Sequence, residues 1–372
     1  MFRRCTMVFG VVSVILFSAS AQADVFNMGG TRDPVTGIWT GEASLEFVTV
    51  GNPGNAADTM VMGDGTTGYG SVPYTYQMGK YDVTIGQYCE FLNAVAKTDT
   101  YGLYANTVYG SMATDFPTIG ITQSGSPGSY SYSVTGGYSQ AANCPMFDVS
   151  WGDAARFCNW LQNGQPTSGV ENASTTENGA YTLNGATSIS ALMAITRNSG
   201  ATYVIPTENE WYKAAYYDPN KPGGAGYWWY PTKSDTVPSN ILSSTGTNNA
   251  NFYDAYSTTN NGFTDPTNYL TPVGAFAASP GPYGTFDMGG DVWQWNEAEV
   301  TSSSRGLRGG SWSNLYYGPG LLASVDRDSS DPTDGDGNFG LGFRVACVPE
   351  PGSIILLVSG AVAGLIWWRR RG

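Results

Sequence analysis

Tyr283-Gly284-Thr285-Phe286-Asp287-Met288-Gly289-Gly290-Asp291-Val292-Trp293-Gln294-Trp295 sets turn-forming glycine and aspartate directly against large aromatics. Glycine permits close turns that other residues resist, and buried aromatic rings supply the apolar area that pins such turns to a core. The same bias runs through the whole chain, whose 49 Gly, 24 Tyr and 11 Trp argue for much irregular structure held by aromatic packing. From about Asp218 to Arg344 the chain is accordingly expected to form turns and short strands, with no further long helix and no clean repeat.

Upstream, three segments carry helix signals. After Thr84, an N-cap, the residues Ile85, Tyr88, Phe91, Leu92 and Val95 recur at helical intervals. Ser150 and Asp153 have capping-box spacing ahead of the face Ala154, Phe157, Cys158 and Leu161, which should end near Gly164. Thr207 and Glu210 repeat the signal before Trp211, Ala214 and Ala215, and Asp218-Pro219 should stop that helix. Between the helices lie two polar insertions, 101–143, with hairpin character around Tyr130-Ser131-Tyr132-Ser133-Val134, and 165–200. Residues 24–71 read as strands and turns.

Both ends of the chain have their own logic. Arg3 and Arg4, an apolar run from Met7 to Phe17 and the small residues Ala21-Gln22-Ala23 have the order of a secretory signal peptide, so signal peptidase is expected to cut after Ala23. At the other end, Val348-Pro349-Glu350-Pro351-Gly352 precedes an apolar stretch, Ile354 to Trp368, and then Arg369-Arg370-Arg371. Arginines beside an apolar helix stay on the cytoplasmic side, which leaves the body outside. This end resembles the PEP-CTERM sorting signal, whose motif here is Pro349, Glu350 and Pro351. The resemblance implies an exosortase-type sorting enzyme as partner, and contact with the membrane through a C-terminal transmembrane helix before processing; a plain C-terminal anchor would give the same location. The protein is thus expected at the cell surface or in the extracellular matrix.

Removing the expected leader and tail takes the formal charge from −13 to about −17. Such a surface repels phosphate, so no nucleic acid is expected as partner, and calcium is. Cys89, Cys144, Cys158 and Cys347 remain, and in an oxidising exterior they can form two disulfides in three connectivities. The chain has no histidine at all. That absence removes Ser-His-Asp hydrolysis, Cys-His proteolysis, His-zinc hydrolysis and facial-triad iron chemistry together, because each needs an imidazole.

The central stretch, taken with Gly79-Lys80-Tyr81-Asp82-Val83-Thr84, Asp148-Val149-Ser150-Trp151, Pro206-Thr207-Glu208-Asn209-Glu210-Trp211, Leu307-Arg308-Gly309-Gly310-Ser311-Trp312 and Gly342-Phe343-Arg344, resembles the sulfatase-modifying-factor family, the fold of formylglycine-generating enzyme. The resemblance implies a compact α+β domain over 72–347, irregular, related to C-type lectin domains and low in regular secondary structure, between a leader (1–23), a strand-and-turn region (24–71) and a sorting tail (348–372).

What the resemblance implies about chemistry depends on the residues present. Family oxidases bind copper through two cysteines shortly after the Gly-Gly-Ser motif, and here those positions are Asn314 and Pro319. An amide oxygen is a poor ligand for Cu(I) and proline has no donor, so no copper is expected; the family's iron branch needs histidines, so no iron is expected either. No catalytic residue is assigned. By resemblance, one calcium site would use Asp287, the carbonyls of Gly290 and Val292, and Gln294, where the family usually has glutamate. A second would use Asn251, the Phe252 carbonyl and Asn261 or Asp265. Plain hydrogen bonding of the turns is the alternative for both sets. The loop with Asp334, Asp336 and Asn338 is not an EF-hand, because Phe339 stands where the turn glycine is required. The family bridge maps onto Cys158 and Cys347, leaving Cys89 and Cys144 for a second. Ser311, Trp312, Trp293, Trp228 and Trp229 are the candidates for a sugar or peptide groove, plain core packing being the favoured alternative for most of the aromatics; Trp228, Trp229 and Tyr230 are the better groove candidates because three consecutive aromatics resist burial on one side. These readings lead to a non-catalytic, calcium-stabilised surface module that binds extracellular polysaccharide or protein; the competing reading is an oxidoreductase of the formylglycine-generating type acting on a protein cysteine.

Overall fold

The structure is a computed structural model that describes residues 31–32, 39–40, 45–107, 110–256, 261–314, 318–335 and 340–349. The expected leader, Glu350 and Pro351 of the sorting motif, the apolar tail, and Asp336, Asn338 and Phe339 lie outside the described residues. No described helix is long and apolar enough to cross a membrane.

All three signalled helices form, each starting with a complete capping box. Helix α1 spans Ile85–Val95 under Thr84 and Gln87, and α2 spans Trp151–Gln162 under Ser150 and Asp153. In both boxes the N-cap hydroxyl accepts the third backbone N–H while that residue's side chain accepts the N-cap N–H, which meets two orphan donors of the first turn. A short helix, α3 (Ile189–Met193), lies within the second polar insertion, where no helix was expected; five residues are too few to show a period. Helix α4 spans Glu208–Tyr216 under Thr207 and Glu210, and buries Trp211, Ala214 and Ala215 as its pattern requires.

Two four-stranded sheets support these helices. In the first, Phe47–Val50, Tyr76–Gly79, Ala346–Cys347 and Tyr203–Val204 lie side by side, all antiparallel. The second runs Asp328–Ser330, Ser304–Arg308, Trp293–Thr301, Leu341–Gly342, with the last pair parallel. The Trp293–Thr301 strand is longer than its sequence suggests. Residues 293–296 are buried on both faces, so the alternation that marks a half-exposed strand is missing. The hairpin expected near Tyr132 pairs Ile121–Ser124 with Ser131–Val134.

One core joins both sheets to α1, α2 and α4, with Tyr88, Phe91, Phe157, Trp160 and Phe343 in mutual ring contact. Leu45, Phe47, Val50 and Met62 belong to it, so residues 45–71 are part of the domain and no boundary falls at 71/72. The architecture is α+β.

Cys144 and Cys158 are both wholly buried thiols. On the first sheet Ala346 lies in register with Met78 and Val204 on the buried face, and alternation puts Cys347 on the other face beside Tyr203, whereas Cys158 is wholly buried on α2. The Cys144 thiol faces the Gln140 carbonyl at 3.6 Å, and the Cys89 sulfur accepts from Asn93 at 3.7 Å, so each is engaged within its own segment.

Candidate functional site

The opening stretch builds a buried polar hub. Asp287, Gly290 and Asp291 all adopt left-handed backbone, with φ of 55°, 87° and 54°. At Gly290 a side chain is excluded outright, since a Cβ would lie 2.1 Å from the Asn251 carbonyl oxygen. This turn delivers Gln294 to the centre of the core, opposite Arg308 on the neighbouring strand. The Gln294 Nε2 donates to the Asp287 carbonyl at 2.7 Å, and its Oε1 accepts from Trp211 Nε1 at 2.7 Å and Arg344 Nε at 3.0 Å. Arg344, fully buried, also donates to the Gly79 and Phe286 carbonyls and lies 3.3 Å from Asp82. Burial pushes the Asp287 carboxyl up to about 6 and that of Asp82 up to about 8, each against the pull of Arg344. Burial and the negative charge of Asp287 hold Asp291 well above the usual carboxylate range.

This geometry bears on the calcium expectation. Gln294 does not close the first set, because its oxygen already accepts two hydrogen bonds and its nitrogen faces the Asp287 carbonyl. Asp287 Oδ2 accepts from the Gly274 N–H at 2.6 Å. In the second set, Asp265 accepts from Thr267 and Asn268, the Phe252 carbonyl accepts from Asn240, and Asn261 donates to Ala255. Asn251 is different: its Nδ2 donates to Tyr269 O and Asp291 Oδ1, which fixes the amide orientation, and its Oδ1 is buried with no hydrogen-bond partner. Of the two sets, Asn251 Oδ1 is the oxygen left open to a hard cation, which would need several further oxygen ligands, while Gln294 is committed to the core. Gln294→Glu should destabilise the protein by about 1–3 kcal/mol in chelator, since a second oxygen would face the Asp287 carbonyl. Millimolar calcium should then raise the melting temperature more in that variant than in the parent, which differential scanning calorimetry reads directly.

At the family's metal positions, Asn314 Oδ1 accepts from the Ser311 N–H at 2.8 Å and the Ser311 hydroxyl at 2.9 Å, closing a turn. Pro319 stands in the Gly318–Leu322 turn of 3-10 helix. The groove proposed around them is filled. Ser311 is 1% exposed, Trp293 4% and Trp312 8%, the last enclosed by the rings of Phe116, Phe263 and Tyr269. Trp228 and Trp229 are half-buried at the surface, where Trp228 donates to Asp218 and lies under Lys221, while Tyr230 turns into a small separate core.

The open cleft lies elsewhere. A half-open cleft of about 360 Å³ lies between Gly102, Tyr104–Thr107 and Gly110, the start of α2 at Asp148, Ser150 and Asp153, and Thr333–Gly335. Asp148 holds a left-handed backbone (φ 54°) there, and Gly335 approaches it so closely that a Cβ would sit 2.9 Å from the Asp148 carbonyl. Three segments far apart in sequence build this cleft. Ser150 and Asp153 carried a signal for the helix cap, Asp148 one for the family motif and Asp334 one for an acidic loop, and none of these pointed to a cleft.

Among solved structures, that of CarF is similar over 82% of this chain and 98% of its own, at 18% identity and a TM-score of 0.44. Variable protein 1 of Treponema denticola is similar over 88% of this chain and 99% of its own, at 16% identity and a TM-score of 0.47. The U1 variant of a major tropism determinant follows, at 11% identity, a TM-score of 0.27, and 84% and 65% of the two chains. No curated protein matches the chain. Residues 64–348 match the sulfatase-modifying factor enzyme 1-like domain, and the chain belongs to that family.

Proposed function

We propose that the protein is a non-catalytic member of its family, exported and sorted to the cell surface, that binds an extracellular polysaccharide or protein. The observation that carries this reading is Asn314, whose side-chain oxygen is committed to a turn where copper chemistry needs a thiolate. The remaining thiols do not replace it: burial pushes those of Cys144 and Cys158 well above the ordinary thiol range, away from the thiolate form that binds soft metals. Export rests on the leader-like N-terminus, and surface sorting on the Pro-Glu-Pro tail, with signal peptidase and an exosortase-type enzyme as processing partners. Calcium, when present, would be held at Asn251.

The 360 Å³ cleft is where a ligand would sit. Its lining of Ser150, Thr107, Thr333, Asp153 and Asp334 offers hydroxyls and acceptors and no cation, which suits a neutral or basic polyol and disfavours a polyanion. Purified protein incubated with copper, oxygen and a Cys-x-Pro-x-Arg peptide should leave the cysteine unchanged by mass spectrometry; an aldehyde product would restore the oxidoreductase reading. On a glycan array, selective retention of neutral or amino polysaccharides is expected, and a flat response would remove the binding role.

A further inference from the structure

We propose that the wall of the cleft formed by residues 97–105 is a pH-operated gate, tied down by the carboxyl groups of Asp99 and Glu171 with Asp153 beside them, and tighter in mild acid than above neutrality. This rests on the cleft being the binding site, though the gate itself can be tested without any ligand.

The cluster is defined by a shortage of cations. Arg156, 2% exposed, is the buried cation of this region, and it is bound in bidentate fashion to Glu177, through Nε at 2.8 Å and Nη2 at 3.2 Å, while its Nη2 also donates to the Ala186 carbonyl. No described ion pair is left for Asp99, Asp153 or Glu171. Asp153 and Glu171 are each 9% exposed, and Glu171 Oε1 is buried with no hydrogen-bond partner. Burying a carboxylate with no cation is costly, and such a group gives up its charge more readily; Glu171 is the least compensated of the three, since Asp153 accepts from the Ser150 hydroxyl at 2.6 Å and Asp99 from two backbone N–H groups.

Two of these carboxyls, Asp99 and Glu171, hold the gate directly. Asp99, in left-handed backbone (φ 55°), accepts from the Leu103 N–H at 2.7 Å and the Tyr104 N–H at 3.3 Å, and Glu171 accepts from the Thr100 N–H. Gly102 and Tyr104, next along the chain, line the cleft together with Asp153. The other titratable groups around the cluster are Tyr88 on α1, whose hydroxyl donates to the Leu103 carbonyl, Tyr101, whose ring lies 4.5 Å from the Arg156 guanidinium, and Lys97, whose stem packs on Gly169. Burial pushes Asp99 up to about 6, with Asp153 adding to it, and Glu171 up to about 7, with Asp99 adding to it; burial raises Asp153 to about 6 against Arg156. The sign follows. Carboxyls raised in the closed form stabilise it fully below about pH 4, and that contribution is lost as pH rises through 6 and 7. The gate is tight in mild acid and loose above neutrality.

Hydrogen exchange on the whole protein, resolved by peptide and divided by the intrinsic rate, tests this. Peptides covering 97–105 should become about tenfold less protected between pH 5 and pH 8, while those of α4 change little. Glu171→Gln, which keeps the acceptor for Thr100 and cannot ionise, should cut that pH response at least in half, and Glu171→Gln with Asp99→Asn should nearly abolish it. Unchanged protection of 97–105 across this range in the parent overturns the gate. So does a response in the double variant equal to the parent's. A gate that responds as expected while the glycan array stays flat would retain the pH device and discard the ligand.

Discussion

Replacing Arg344 with methionine is expected to cost the fold about 3–5 kcal/mol, the usual penalty for removing one partner of a buried charge pair. Arg344 is wholly buried and serves four groups at once: Gln294, the carbonyls of Gly79 and Phe286, and Asp82. Methionine fills a similar volume, so the loss would not come from a cavity. It would come from two carbonyls left without donors and from Asp287 left without a countercharge. Asp82→Asn alone should be nearly neutral, because burial already holds that carboxyl up to about 8 and mostly protonated at neutral pH. Combined with Arg344→Met it should recover part of the loss, and a double-mutant cycle in urea measures the coupling. If Arg344→Met shifts the midpoint by less than a surface substitution does, the hub is not what joins the two sheets.

That hub marks the limit of what the sequence makes legible. Thr84, Ser150 and Thr207 could be read because an N-cap and its third residue are chemically complete within four positions. Asp287, Gly290 and Gln294 could be placed in one turn for the same reason. Arg344 and Asp82 meet from opposite ends of the domain, and no local pattern announces such a pair. Gln294 was therefore taken as a weak calcium ligand, when its neutral amide is what a core site needs to accept from Trp211 and Arg344 while donating to Asp287. Trp293 and Trp312 are core residues for a related reason. Trp293 and Trp312 follow glycine-rich turns, which read as surface, yet those turns are themselves covered. The cleft and its carboxyl cluster were not legible because they are assembled from segments far apart in sequence, with Gly102–Thr107 and Glu171 in stretches that looked like plain polar insertions.

Replacing Glu208 with glutamine should be as damaging as losing Arg344, at about 3–5 kcal/mol, although it removes only a charge and preserves the shape. Glu208 sits in the first turn of α4 and binds two guanidinium groups. Arg308 approaches at 2.7 Å with its side chain wholly buried, and Arg327 holds the same carboxylate through two hydrogen bonds of 2.9 and 2.7 Å. The two arginines have different alternatives. Arg327 also pairs with Asp64 at 2.8 Å near the surface, and water reaches it. Apart from Glu208, Arg308 donates only to the Ser324 and Asp326 carbonyls and the Met62 sulfur and lies beside the rings of Tyr69 and Tyr212, with the Asp326 carboxyl near it but bonded through no described ion pair. Without Glu208 it would be a buried cation with no counterion, held within reach of a second cation. The asymmetry sharpens the test. Arg327→Met should cost no more than about 1 kcal/mol, as a partly exposed pair does, while Glu208→Gln should cost several times that. Chemical denaturation of the three proteins side by side decides it: equal losses for Arg327→Met and Glu208→Gln would mean that the carboxylate acts through Arg327, and that Arg308 is held by its carbonyls alone.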